Sequence, residues 1–141
     1  FGGYTWNSDT PLQDMYSWTG AGWESVGYTN SPIDVPALWN QSMAWDPIGR
    51  RLIVTGGFVD SGHTPNTQTW YVTFTNATGA WQATWTLASG IGCQSAAGSP
   101  PDPVVHPGAL MTYDLAARVQ VFFGGELAGG EFSYANTVEC R

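Results

Sequence analysis

The sequence predicts an all-β chain built from a repeated unit of four short antiparallel strands. Three observations predict it. The composition is that of strands and turns: eight Trp, six Tyr, six Phe and 18 Gly in 141 residues. Aromatic and β-branched residues fill pleated strands, whereas Gly, Pro and Asn interrupt them. No stretch sustains apolar residues at i, i+3 and i+4, so little or no helix is predicted. Finally, the Gly-Gly pairs at Gly2–Gly3, Gly56–Gly57 and Gly124–Gly125 each follow an apolar stretch.

The glycine pairs are anchors of a repeat. Thirteen residues beyond the second glycine of each pair stand Tyr16, Trp70 and Val138, each within a strand-like segment. Upstream, "SMAWDPIGRRLIVTGG" (42–57) aligns without a gap with "LMTYDLAARVQVFFGG" (110–125). Met43 matches Met111, Trp45 matches Tyr113, Asp46 matches Asp114 and Arg50 matches Arg118. Downstream, Trp23 and Trp81 each head a further segment. The four strands, a to d, follow in order. Strand a is "SMAWD" or "LMTYD", and strand b is "RLIVT" or "VQVFF". Strand c carries the residue at the thirteen-residue mark, and strand d begins at Trp23 or Trp81. Residues 1–26 supply strands c and d of a first unit. Residues 42–86 form a complete second unit, and 110–141 supply a, b and c of a third; 27–41 and 87–109 are connecting loops.

Each element has a local reason. Strand b is apolar along its length, as a strand buried on both faces should be. Its exit must turn sharply in a crowded place. Gly reaches positive φ without steric cost, whereas an L-residue forced left-handed costs about 1–2 kcal/mol. Asp46 and Asp114 recur by position at the a–b turn and are read as turn-formers, because Asp side chains bond nearby backbone N–H groups. Trp23, Trp45, Trp70, Trp81 and Tyr113 also recur by position and are read as packing residues.

The Gly-Gly pair after an apolar strand, the spaced aromatic and the following Trp together resemble kelch repeats. "MAWDPIGRRLIVTGG" is most similar to the bacterial or archaeal variety. The resemblance covers nearly the whole chain and implies kelch-type β-propeller blades, each a four-stranded antiparallel sheet. It weakens at Val138 and Cys140, where aromatics are usual. About two and a half blades are present, so the ring is incomplete within one chain. The resemblance therefore implies partners: further blades from the same protein or from other copies of it. The absence of an initiating Met and of a visible signal peptide gives the reading of a processed or partial chain.

Strand parity sorts the connections onto two rims. Residues 4–13, 27–41, 58–67, 87–108 and 126–135 share one; the short turns 19–22, 46–51 and 75–80 share the other. Function on a rigid β scaffold tends to sit in long loops. The ligand-binding candidates on the long-loop rim are Trp6, Trp39, Asp60, His63, Asp102 and His106. Trp and Tyr rings stack on sugars while carboxylates hold hydroxyls.

Composition excludes several functions. The formal net charge is −7, there is no Lys, and the four Arg form no basic patch, so no nucleic-acid partner is expected. No apolar run approaches a membrane span. There is no G-x-S-x-G elbow and no H-E-x-x-H motif, so no catalytic residue, metal or cofactor is assigned. Cys93 and Cys140 permit one disulfide or two buried thiols. Asn40 and Asn76 match the glycosylation acceptor pattern. The functional expectation is a non-catalytic extracellular or cell-surface module that binds a glycan or protein, or assembles, through the long-loop rim. The alternatives are part of a galactose-oxidase-like copper oxidase and a self-assembling ring or filament subunit.

Overall fold

The computed structural model describes residues 1–29, 35–77, 79–88, 93–95, 107–125 and 137–140, with 93–95 and 137–140 as backbone. The fold is all-β, with no helix among the described residues. Strands β1 (Gly3–Thr5) and β2 (Thr10–Leu12) form a hairpin, as do β3 (Tyr16–Trp18) and β4 (Trp23–Ser25). A central sheet contains β5 (Gly27–Tyr28), β6 (Ser42–Asp46), β7 (Arg51–Thr55), β8 (Thr69–Thr75) and β9 (Gln82–Leu87), in the order β5-β9-β8-β7-β6. The last sheet contains β10 (Cys93–Ser95), β11 (Leu110–Asp114), β12 (Val119–Phe123) and β13 (Thr137–Cys140), in the order β10-β13-β12-β11. Every pairing is antiparallel except β5 with β9. None of these small sheets closes into a barrel.

The two aligned sequence stretches fold alike. Ser42 pairs with Thr55 through to Asp46 with Arg51, and Leu110 pairs with Phe123 through to Asp114 with Val119. The next strand keeps the same offset: Val54 faces Trp70, and Phe122 faces Val138. Both turns are closed by their aspartate. Asp46 Oδ1 accepts from the N–H groups of Ile48 (3.0 Å) and Gly49 (2.8 Å). Asp114 Oδ1 accepts from those of Ala116 (2.8 Å) and Ala117 (3.0 Å). Arg50 and Arg118 then take the left-handed conformation, with φ of 50° and 57°.

All six glycines of the three pairs have positive φ, from 64° at Gly56 to 126° at Gly3. Space is tight at Gly2, where a Cβ would run into the Leu38 carbonyl oxygen, and at Gly57. A Cβ at Gly57 would lie 2.7 Å from the Trp39 carbonyl oxygen and 3.0 Å from Gln41 Cα, so backbone itself forbids a side chain.

The core lies on one face of the central sheet. Val54, Trp70, Val72, Ala83 and Trp85 pack there with Met15 and Val26, which flank the β3–β4 hairpin, and with Val35 and Leu38. Full burial of each large apolar side chain contributes about 1.5–3 kcal/mol. Phe1 closes over this cluster, its ring centroid 4.5 Å from that of Trp85. On the other side, β6 and β11 run close together. There the Ser42 hydroxyl donates to the Ala109 carbonyl, and Gly108 N–H donates to the Asn40 carbonyl at 2.7 Å. Asp46 sits at this junction. Burial alone would push its carboxyl up, but donors from Gly49, Arg51 and Ile48 together hold it below its ordinary value. The Arg51 guanidinium is 3.0 Å away.

Three segments expected to be loops contain strands. Residues 4–13 hold most of the β1–β2 hairpin, whose turn is closed by Asp9 at φ 47°. Residues 27–41 begin with β5, which lies parallel to β9. Residues 87–108 hold β10, which stands beside β13 as β9 stands beside β8. Strands of two or three residues are too short to show alternation, and their pairing comes from partners distant in sequence.

Candidate functional site

Two surfaces gather the residues that could bind a partner. The first is on the long-loop rim. Trp39 and Phe58 form an isolated antiparallel bridge that brings two loops together. The Trp39 ring lies 5.0 Å from Tyr4, 4.8 Å from Phe58 and 5.0 Å from His63, centroid to centroid. Its indole N–H donates to the Asp60 carbonyl oxygen at 3.0 Å. The Asp60 carboxylate accepts from Thr64 N–H at 2.9 Å, and that bond foremost holds it below its ordinary pKa. His63 completes the turn at φ 62°. Trp39, Asp60 and His63 therefore come together, but mainly to build one another's loop. Trp6 stands apart at the tip of the β1–β2 hairpin, 88% exposed. Asp102 and His106 lie outside the described residues. Among the described residues no three His, Cys, Asp or Glu side chains are grouped to hold a metal. Asn40 and Asn76 are both exposed, Asn76 in the turn from β8 to β9.

The second surface is a cleft of about 610 Å³ between the β3–β4 hairpin and the central sheet. Phe1, Met15, Tyr16 and Val26 line one wall; Trp45, Leu52, Phe74 and Trp81 line the other. A shallower hollow of about 470 Å³, lined also by Leu12 and Trp23, shares Phe1 and Tyr16 with it. The cleft runs beside β3, which pairs with β4 on one side and has no strand partner on its other edge among the described residues. Ser17, at the centre of β3, is in the cleft wall. Its hydroxyl is shut off from solvent without a hydrogen-bond partner. A buried polar group left in this way costs stability until a partner arrives.

The cleft corrects the reading of the recurrent aromatics. Trp70 is buried as a packing residue should be, at 6% exposure. Trp23 and Trp81 are 68% and 40% exposed, and Trp45 is also exposed. The signal that marks these residues as packing elements was present in the sequence. Nothing in it showed that the surface opposite them would be open. Phe1, Met15 and Phe74 belong to the same cleft and carried no signal of their own. The arrangement brings together apolar rings, one blocked hydroxyl and the Arg50 side chain, with no facing acid and base. Its chemistry is that of binding by burial of apolar surface.

No protein-family model matches the chain, and the search of curated proteins gives no match either.

Proposed function

We propose that the chain is a non-catalytic kelch-type β-propeller module, extracellular or at the cell surface, whose work is binding and assembly with further blades. In this reading the central sheet and the last sheet are successive blades, and the β3–β4 hairpin is the outer half of another. The cleft then receives that blade's inner strand pair, from elsewhere in the same protein or from a second copy. The observation that carries the reading is the aromatic cleft beside the unpartnered edge of β3, with the blocked Ser17 hydroxyl in its wall. The repeated register of the two hairpins and the positive φ of all six glycines support it.

Sedimentation of the purified chain, alone and with a synthetic peptide of residues 110–123 as a strand-pair mimic, tests it. The expected result is an assembly that is a multiple of 15.2 kDa, or a one-to-one peptide complex that quenches tryptophan emission. Tyr16→Arg together with Trp45→Arg should abolish either. A strict monomer that ignores the peptide overturns the reading.

The exposure of Trp6 favours a second mode of binding, sugar stacking on its bare ring. A glycan screen in which Trp6→Ala loses binding supports it; equal signals from both proteins remove it.

A further inference from the structure

The register of the last sheet places the two cysteines of the chain directly opposite each other. Cys93 on β10 pairs with Cys140 on β13, followed by Gln94 with Glu139 and Ser95 with Val138. We propose that Cys93 and Cys140 form a cross-strand disulfide that locks β10 onto the outer edge of β13.

Directly opposed residues of an antiparallel pair have Cα atoms about 4.5 Å or 5.5 Å apart, according to their place in the hydrogen-bond ladder. A disulfide spans Cα separations of about 4.4–6.8 Å, so either kind of site accommodates it. The topology gives the bond a task. β13 follows β12 in the sheet, but its other neighbour, β10, comes from far upstream in the chain and contributes only three residues. Three residues of ladder are a weak hold, and the loop closed between positions 93 and 140 is long. A covalent link at one end of the ladder removes most of the entropy of that closure from the unfolded chain. It also keeps β13 from presenting a free edge to other chains.

The reaction is oxidation by a small disulfide such as oxidised glutathione. The Cys93 thiolate attacks it and releases one reduced glutathione. The Cys140 thiolate then displaces the second, forming the S–S bond. The two thiol protons end on the two released thiols.

The test is a thiol count on the full chain after incubation with oxidised glutathione and removal of the reagent, performed in denaturant. The chain has two cysteines, so the readout is two-valued. No reactive thiol, a monomeric band on a non-reducing gel and two thiols after reduction are expected. Two thiols before reduction, mixed disulfides with glutathione, or a covalent dimer would each overturn the proposal. Cys93→Ser with Cys140→Ser should lower the unfolding midpoint by about 10 °C relative to the oxidised protein. Reduction of the unaltered chain should lower it by a similar amount, while leaving the double variant unmoved. A midpoint of the unaltered chain that does not respond to reduction also rejects the disulfide.

Discussion

The β8–β9 and β3–β4 pairs each carry two tryptophans, and they treat them in opposite ways. Trp70 and Trp85 are buried in the core, their ring centroids 6.3 Å apart. Trp18 and Trp23 pack edge to face at 5.5 Å but remain exposed to solvent. The residues are of one kind; the surroundings differ. β8 has β7 on its far side, and Phe1, Met15 and Val26 belong to the cluster on its buried face, whereas β3 is bounded by a cleft. Repeat aromatics thus mark where packing is intended, and neighbouring strands decide whether it is realised.

The largest effect should come from removing a ring on each side of this contrast. Trp85→Ala should cost about 4 kcal/mol, the usual range for a buried aromatic in a core, read from urea unfolding. Trp23→Ala should change stability by no more than about 0.5 kcal/mol, as exposed substitutions do. A cost above about 2 kcal/mol for Trp23 would show that the hairpin is covered in solution, and would shrink the difference between the two regions.

Glycine substitutions extend the comparison from side chains to backbone. Gly57→Ala meets both a φ of 82° and backbone atoms, and should destabilise by about 3 kcal/mol. Gly3 has a φ of 126° but only the Leu12 Cδ1 atom near its missing Cβ, at 3.9 Å. Gly3→Ala should cost about 1 kcal/mol, measured by the same unfolding curves. Equal costs would mean that the crowding around the central sheet adds nothing to the φ penalty.

The smallest effect separates the two turns. Asp46→Ala should cost about 2 kcal/mol, because it strips a buried carboxylate from two backbone donors and Arg51. Asp114→Ala, in an exposed turn with the two backbone bonds, should cost about 1 kcal/mol. The folded pKa of Asp46 lies below its ordinary 3.8, so its contribution is present above that value. It is lost as pH falls through the depressed folded value. Asp46→Asn should therefore flatten the acid limb of a stability–pH curve below about pH 4. An unchanged limb would contradict the assignment.

Much of the strand pattern was legible in the residues, because its signals are local. "SMAWD", "RLIVT", "LMTYD" and "VQVFF" are the observed strands β6, β7, β11 and β12, and the aspartates close their turns as their chemistry demands. The rim residues Trp39, Asp60 and His63 lie together. Their convergence builds a loop, because the indole N–H and the carboxylate are spent on neighbouring backbone. The cleft was not legible. It depends on which edge of β3 is left without a strand, and that follows from long-range pairing. Nor was β10 visible, since three residues with no alternation acquire their strand character from β13 alone.

The parallel strand β5 has a consequence for growth. By lying along β9, with Gly27 N–H bonded to the Trp81 carbonyl and Thr29 N–H to that of Ala83, it occupies the outer margin of the central sheet. The margin is thereby cut to two residues of ladder, a short template for the kind of growth that turns stacked ribbons into fibrils. A two-residue strap offers an incoming strand far less ladder than the six residues of β9 would.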